Sequence, residues 1–377
     1  MAALQDVDAM IPLIQRRGPG GRGGGPPAAT LAHGIMSIIL CSPGQRIPIG
    51  PHQGWHVRLR VPVASLQRPL PQPRNGSARS ELEPPMKSPT LYRHVNRVLG
   101  PVLPQVMGRL AAHMLLTARP PRNSPPPKDA ERSVDLGAGA RAWVYGRGPA
   151  VFLLHGWSSG PMALGSLVPS LVAMGLQAVC LRAPGHDPDD PAASHPAAFV
   201  DVLLRARDEL GTPAAVVGHS MGAGTALVAQ SEGLRAGSLV LIAGPASVTG
   251  VLDRFVFETG LPDRAARAFR QRVIHAGGKS EGFFDSQRFA RDIDATVLLV
   301  HDHDDAEVPF EEAEQLHERL PNSRLFATST LGHRRILKDR RVLTEVATFL
   351  VKHARTPRED SAMATSRSAG SLSVEMT

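Results

Sequence analysis

The chain has 377 residues, of which 42% are hydrophobic and 20% are charged, a length that predicts either one domain with extensions or two domains. Of the net charge of +8, residues 1–85 contribute +5, with nine Arg, no Lys and four acidic residues, so the basic pI does not indicate a nucleic-acid-binding surface. The only two cysteines, Cys41 and Cys180, are too few for a disulfide framework or a Cys-ligated metal site.

Residues 1–85 are rich in Gly, Pro, Arg and Ser and have no sustained helical or strand period. We therefore expect a disordered, low-complexity extension. The composition changes at Met86, and a translation start there, which would leave residues 1–85 outside the native protein, is one hypothesis. No apolar run reaches the length of a membrane-spanning helix and no signal-peptide cleavage pattern is present, which predicts a cytoplasmic protein.

Residues 86–130 are predicted to form a helical segment followed by a Pro-rich linker. Apolar residues recur at helical spacing between Leu91 and Leu116, and Pro101 and Pro104 divide this pattern into two helices. Basic residues are few in it, so packing on the main domain is favoured over binding to a membrane surface.

Residues 131–353 alternate between strand and helix patterns, which predicts a mostly parallel α/β sheet flanked by helices. Strands are expected at 132–136, 141–145, 150–154, 178–181, 214–217, 238–243, 296–300 and 323–328. Helices are expected at 161–174, 199–210, 310–320 and 342–352, with one more directly after the strand at 214–217. Residues 354–377 are predicted to be a disordered polar tail.

One interval, about 246–292, breaks this alternation. It has an amphipathic helical pattern and is rich in phenylalanine: Phe255, Phe257, Phe269, Phe283, Phe284 and Phe289. Substrate pockets are lined mostly by apolar and aromatic side chains. We therefore expect a small helical lid after the sixth strand, over the carboxyl ends of the strands.

The segment Gly218-His219-Ser220-Met221-Gly222 lies between a β-branched run and a small-residue helix pattern. This strand–turn–helix context is the one that a nucleophile elbow requires. The glycines give room at a sharp turn, and Ser220 is expected at the start of the helix. There the backbone N–H of Met221 can face a developing oxyanion.

A serine nucleophile needs a base and a carboxylate that orients the base. The strand ending at Val300 leads into a loop with three aspartates, Asp302, Asp304 and Asp305, and the last strand leads towards His333. Both positions lie at carboxyl ends of strands, at the same edge as the elbow. We therefore expect His333 and one of these aspartates to lie close to Ser220.

The same loop has a second interpretation. His301-x-His303-x-Asp305 matches the opening of the metallo-β-lactamase-type metal motif, and imidazoles two residues apart are sensible zinc ligands. Ala306 stands where that motif has its next histidine, however, so no metal site is predicted.

Taken together, the motifs resemble the α/β-hydrolase superfamily over about residues 131–353. The resemblance is carried by Leu154-His155-Gly156-Trp157, Arg182-Ala183-Pro184-Gly185-His186, the elbow, Asp305-Ala306-Glu307-Val308-Pro309 and Gly332-His333. It implies an eight-stranded sheet, with Ser220 as nucleophile, His333 as general base and acid, and Asp305 as the orienting carboxylate. It also implies an oxyanion hole formed by the backbone N–H groups of Met221 and Trp157. The chain departs from the family at Asp302, where a glycine is usual.

This resemblance implies a carboxylesterase-like serine hydrolase that cleaves a small apolar ester, or a related acyl compound, through an acyl-enzyme on Ser220, without a cofactor. The same triad also serves acyltransferases, C–C hydrolases and cofactor-free perhydrolases. A non-catalytic ligand-binding relative is an alternative of another class, because fold does not imply function. The expected partner is a small-molecule acyl substrate, and the sequence leaves the choice between monomer and homodimer open.

Overall fold

The computed structural model describes residues 89–122 and 127–354. The predictions for residues 1–85, and for the polar tail beyond Ala354, lie outside the described residues. Two helices precede the sheet, α1 (Pro89–Leu99) and α2 (Pro104–Leu116). Pro104 stands in the first turn of α2, where a missing N–H leaves no helical hydrogen bond unmade.

Eight strands form one sheet with the order β1-β2-β4-β3-β5-β6-β7-β8. The strands are β1 (Arg132–Gly137), β2 (Ala140–Tyr145), β3 (Ala150–Leu154), β4 (Gln177–Arg182), β5 (Ala215–His219), β6 (Ser238–Ile242), β7 (Thr296–Asp302) and β8 (Ser323–Thr328). Strand β2 pairs antiparallel with β1 and β4, and the other neighbouring pairs are parallel. The prediction of an eight-stranded, mostly parallel α/β sheet is confirmed.

In the described part of the chain, seven further α-helices of six or more residues flank the sheet, besides one-turn helices at Ser286–Phe289 and Gly332–Arg335. The seven are α3 (Val168–Ala173), α4 (Pro196–Leu210), α5 (Met221–Ala229), α6 (Val248–Thr259), α7 (Asp263–Ala276), α8 (Phe310–Arg319) and α9 (Arg340–His353). The helix expected at 161–174 is instead a 3₁₀ segment, Pro161–Leu167, followed by α3. Pro169 explains the difference, because it has no backbone N–H to donate to the preceding turn and its ring crowds that turn.

Helices cover both faces of the sheet, so the central strands have no solvent-exposed side. Every residue of β5 and β6 is buried. Along β3 the side chains alternate between two apolar clusters, with Phe152 and Leu154 in one and Val151 and Leu153 in the other. The continuous apolar runs in the sequence have this burial on both faces as their physical cause.

The two helices before the sheet pack on the helices between β6 and β7. In α2, a Cβ built on Gly108 would lie 2.7 Å from the Ala268 Cβ and 2.8 Å from the Ala265 carbonyl oxygen, so the α2 and α7 backbones approach closely. In α1, the Asn96 Nδ2 donates a hydrogen bond to the Thr259 carbonyl at 2.7 Å, at the end of α6. Within the described ranges, no helix combines the length and the apolar character that crossing a membrane requires.

Candidate active site

Ser220 occupies a sharp turn between β5 and α5. Its φ of 53° and ψ of −120° lie outside the regions that a residue with a side chain normally adopts. The neighbouring glycines are needed for space, because a Cβ on Gly222 would lie 2.4 Å from the Leu154 carbonyl oxygen and one on Gly218 would lie 2.5 Å from the Gly222 carbonyl oxygen. Ser220 itself is half-buried, and it directly precedes the first residue of α5, Met221.

Asp305 and His333 form a buried pair. The Nδ1 of His333 lies 2.8 Å from the Oδ2 of Asp305, and the two side chains are 5% and 0% exposed. Asp305 follows β7 and His333 follows β8, two neighbouring parallel strands, so both residues leave the same edge of the sheet. The geometry is that of an imidazole whose Nδ1–H is oriented by a carboxylate.

Hydrogen bonds maintain Asp305 in its charged form. Its Oδ1 accepts the backbone N–H groups of Glu307 at 2.8 Å and Val308 at 2.9 Å, and its Oδ2 lies 3.5 Å from the His301 Nε2. Burial alone would raise the pKa of Asp305, but the interactions with His301, His333 and the Val308 N–H outweigh burial and hold this pKa well below its usual value. Asp305 therefore presents a fixed negative charge to His333.

The other two aspartates of the loop have different contacts. Asp302 is fully buried and accepts four hydrogen bonds at 2.7–3.1 Å, from the Thr328 hydroxyl and from three backbone N–H groups, those of Asp304, Leu331 and Gly332. Burial opposes ionisation of Asp302, and these hydrogen bonds more than compensate, so its pKa is lowered. Asp304 accepts the Thr330 N–H at 2.7 Å. Both aspartates thus tie the β7 loop to the segment before His333, a role that the motif comparison missed.

The residue before Ser220 connects the elbow to the His333 loop. His219 is buried, and its Nε2 donates a hydrogen bond to the His333 carbonyl oxygen at 2.9 Å. The two imidazole rings have centroids 4.8 Å apart. Within the described part of the chain, the Ser220 hydroxyl makes no hydrogen bond to the His333 Nε2, so the structure joins His333 to Asp305 but not to Ser220.

Trp157 lies in the loop after β3, and two buried histidines fix this loop. The His155 Nδ1 donates to the Gly156 carbonyl at 2.7 Å, and the His186 Nε2 accepts the Ser158 N–H at 3.2 Å. The loop abuts the elbow, because a Cβ on Gly156 would lie 2.9 Å from the Ser220 Cβ. This contact places Gly156, the residue before Trp157, against Ser220.

Burial keeps three histidines around the site neutral. Mainly through desolvation, the pKa of His155 is lowered to about 3, that of His219 to about 3 and that of His186 to about 4. A neutral imidazole has one N–H donor and one acceptor nitrogen, which matches the hydrogen bonds of His155 and His186. Sequence reasoning had assigned these residues no individual role.

The residues of the metal motif have other contacts. His301 Nε2 donates to the Val308 carbonyl oxygen at 2.9 Å, and the His303 ring packs on Phe310 with centroids 3.8 Å apart. Across residues 89–122 and 127–354, no three His, Cys, Asp or Glu side chains are grouped so that they could hold a metal ion.

An acidic residue that the sequence analysis did not single out also lies near His333. The Glu307 Oε2 is 3.7 Å from the His333 Nε2, the ring nitrogen opposite Asp305. Glu307 also pairs with Arg334, whose Nε lies 3.0 Å from the Glu307 Oε1. Its only sequence indication is its position two residues after Asp305.

The α/β sheet, the serine at the turn between β5 and α5 and the His333–Asp305 pair are together typical of the α/β-hydrolase class of proteins. Comparison with known proteins agrees: the model of the alpha/beta hydrolase family matches residues 151–372, and the chain belongs to this family. The pimeloyl-[acyl-carrier protein] methyl ester esterase of Aromatoleum aromaticum is 30% identical, over 49% of this chain and 91% of that protein.

Solved structures with a similar fold include a meta-cleavage product hydrolase from Pseudomonas fluorescens IP01, with 18% identity, a TM-score of 0.43 and coverage of 59% of this chain and 97% of that one. An esterase from Thermogutta terrifontis has 18% identity and a TM-score of 0.44 and covers 57% and 95% of the two chains. A bromoperoxidase from Bacillus anthracis has 20% identity and a TM-score of 0.44 and covers 56% and 95%.

Proposed function

We propose that this alpha/beta hydrolase is a serine esterase that cleaves a small, apolar carboxylic ester through an acyl-enzyme on Ser220. The observation that carries the proposal is the buried His333–Asp305 pair, with 2.8 Å between Nδ1 and Oδ2, at the sheet edge where Ser220 stands in a strained turn. Strained backbone is concentrated at functional sites, where the surrounding structure pays for it. An imidazole oriented by a fixed carboxylate serves as a base for a nearby hydroxyl.

In the first half of the reaction, the Ser220 Oγ attacks the ester carbonyl carbon and its proton passes to the His333 Nε2. The carbonyl π electrons move to the oxygen, where the N–H groups of Met221 and Trp157 stabilise the charge. The C–O bond to the alcohol then breaks, and the proton on Nε2 passes to the departing alkoxide. Asp305 remains ionised throughout and stabilises the imidazolium.

In the second half, water attacks the acyl carbon of the ester to Ser220, with His333 now taking a proton from water. Collapse of the tetrahedral intermediate returns a proton to the Ser220 Oγ and releases the carboxylic acid. Each half therefore uses the same base and the same oxyanion donors.

The preference for an apolar ester is supported by the insertion between β6 and β7, which we propose acts as a lid. Phe255 and Phe283 of the insertion and Trp157 of the β3 loop are partly buried against the same apolar cluster. The related esterase from Aromatoleum aromaticum is named for a methyl ester, which also favours ester hydrolysis.

The test is hydrolysis of p-nitrophenyl esters of increasing acyl length, together with labelling by a fluorophosphonate probe. We expect activity and labelling in the wild type, and a loss of roughly 10³-fold or more in kcat for Ser220→Ala. Ser170→Ala, an exposed position of α3, is the matched control and keeps both. Labelling without ester turnover would favour acyl transfer, C–C cleavage or perhydrolysis, and absence of labelling would favour a binding protein.

A further inference from the structure

His333 has two carboxylates as neighbours, one at each ring nitrogen. Asp305 contacts Nδ1 at 2.8 Å, and Glu307 lies 3.7 Å from Nε2. The Glu307 side chain is 49% exposed, whereas that of His333 is 5% exposed, so Glu307 reaches from the surface towards a buried ring. The nitrogen that it faces is the one that the proposed mechanism requires for proton transfer.

We propose that Glu307 is a positioning residue. Its carboxylate accepts a hydrogen bond from the Nε2–H of protonated His333, whereas in the neutral ring Nε2 instead accepts a hydrogen bond from the Ser220 hydroxyl. The proposal rests on the proposed function, in which His333 cycles between a neutral and a protonated form. It adds to that function a fourth polar residue, which acts through His333 and not on the substrate.

The protonation state of the His333 imidazole decides whether Ser220 or Glu307 can form a hydrogen bond with Nε2. While Asp305 accepts the Nδ1–H, a neutral ring offers a lone pair at Nε2, which a serine O–H can bond and an ionised carboxylate cannot. Once the attack of Ser220 has moved its proton to Nε2, the ring offers an N–H from which Glu307 can accept a hydrogen bond. The same proton later goes to the alkoxide leaving group, which restores the lone pair. Glu307 thus favours the imidazolium in each half of the reaction.

Further charged or titratable groups lie around this pair: Asp305, His219, His301 and Arg334. His219 is kept neutral by burial, with its pKa at about 3, and so adds no charge. His301 lies behind Asp305, at 3.5 Å from its Oδ2. Arg334 binds Glu307 with both Nε and Nη2, at 3.0 and 3.5 Å, and partly neutralises it. Removal of Arg334 should therefore have the opposite effect to removal of Glu307.

The experiment is the pH dependence of kcat/KM, or of the rate of fluorophosphonate labelling, in the full chain. We expect Glu307→Gln to move the acid limb of the profile to lower pH by about 0.5 unit, the size of a partly exposed charge interaction. Arg334→Gln moves it to higher pH. Glu318→Gln, the same substitution at an exposed position of α8, leaves it unchanged. A purely structural role for Glu307 would alter the rate but not the limb.

An acid limb that stays within about 0.1 pH unit in Glu307→Gln overturns the proposal. Titration of the His333 imidazole by NMR, assigned from the resonance lost in His333→Gln, gives a readout that does not need activity. If wild-type protein is neither active nor labelled, the proposed function fails. The NMR titration then still decides whether Glu307 favours the protonated ring, because a midpoint unaltered by Glu307→Gln contradicts it.

Discussion

The Nε2–H of His219 donates to the carbonyl oxygen of His333 at 2.9 Å, across a sequence separation of 114 residues. This contact joins the residue before the proposed nucleophile to the backbone of the proposed base. It links the turn that carries Ser220 to the loop that carries His333, two segments far apart in the sequence. Small misplacements of reacting groups are costly in catalysis, so this hydrogen bond should matter for rate.

Our first prediction is that loss of this hydrogen bond slows the reaction. His219→Phe keeps a ring of similar size but has no N–H, and we expect kcat to fall by about 10-fold or more with little change in KM. His219→Gln places an amide N–H near the position of Nε2 and should restore part of the loss. A wild-type kcat in His219→Phe together with a reduced kcat in His219→Gln would show that the site requires the ring volume and not the hydrogen bond.

The second prediction separates Asp305 from Asp302. Asp305→Asn leaves the loop geometry but removes the charge that orients His333, so we expect kcat to fall roughly 10³- to 10⁴-fold while the midpoint of urea unfolding changes little. Among the described residues, Asp305 is the one of the three loop aspartates that contacts the His333 side chain. A small kcat effect of this variant would reassign the orienting role.

The third prediction concerns Asp302→Asn. This substitution places an amide group among the Thr328, Leu331, Gly332 and Asp304 donors that now meet a charged carboxylate. We expect the free energy of unfolding to fall by about 2–4 kcal/mol, since buried charge-assisted hydrogen bonds are lost. The folded fraction should keep kcat within about 10-fold of the wild type. A loss of activity without a loss of stability would contradict this division of roles.

These contacts mark where prediction from the sequence stopped. Apolar runs located the strands to within one or two residues. The run at Ala150–Leu154 is continuous because that strand is buried on both faces, which imposes a local signature. The elbow was recognisable because a side chain at Gly218 or Gly222 would clash with the neighbouring backbone, so the turn requires glycine at positions close in sequence. The partners of Asp302 and Glu307 depend on how separate loops meet, and no spacing within one segment encodes that. Packing of Gly108 on α7 is likewise a long-range contact.

The fourth prediction is a loss of stability in mild acid. His155, His186 and His219 have folded pKa values of about 3, 4 and 3 against an unfolded value of 6.5. Between pH 6.5 and about 4 the unfolded chain therefore binds protons that the folded chain does not, and stability falls as pH falls. Each such histidine contributes a slope of up to about 1.4 kcal/mol per pH unit.

The measurement is urea unfolding at about pH 7.5 and about pH 5. At the higher pH these histidines are neutral in both states, and at the lower pH they bind protons only in the unfolded chain. His186→Gln should reduce the difference between the two stabilities, whatever its effect at neutral pH. His94→Gln, at an exposed position of α1, should leave the difference as it is. An unchanged difference in His186→Gln would contradict the assignment of His186 as a buried neutral group.

The fifth prediction compares one substitution at two helical glycines. Gly108→Ala puts a Cβ 2.7–2.8 Å from atoms of Ala268, Ala265 and Phe269, so α2 and α7 must separate, and we expect a loss of about 1–3 kcal/mol. At Gly250, in α6, the nearest atom to a new Cβ is 3.8 Å away, and Gly250→Ala should gain about 0.5–1 kcal/mol from helix propensity. Stabilisation by both variants, as followed by thermal unfolding, would refute close packing of α2 on α7.

The left-handed backbone of Ser220 implies a compromise between durability and reactivity. A side chain at φ 53° and ψ −120° costs about 1–3 kcal/mol that glycine would not incur. With glycine in place of the serine, the fold should therefore be more stable but, on the proposed mechanism, inactive. Selection that retains a serine there tolerates a weaker fold in exchange for a hydroxyl, so thermostable descendants should accumulate their gains elsewhere in the chain.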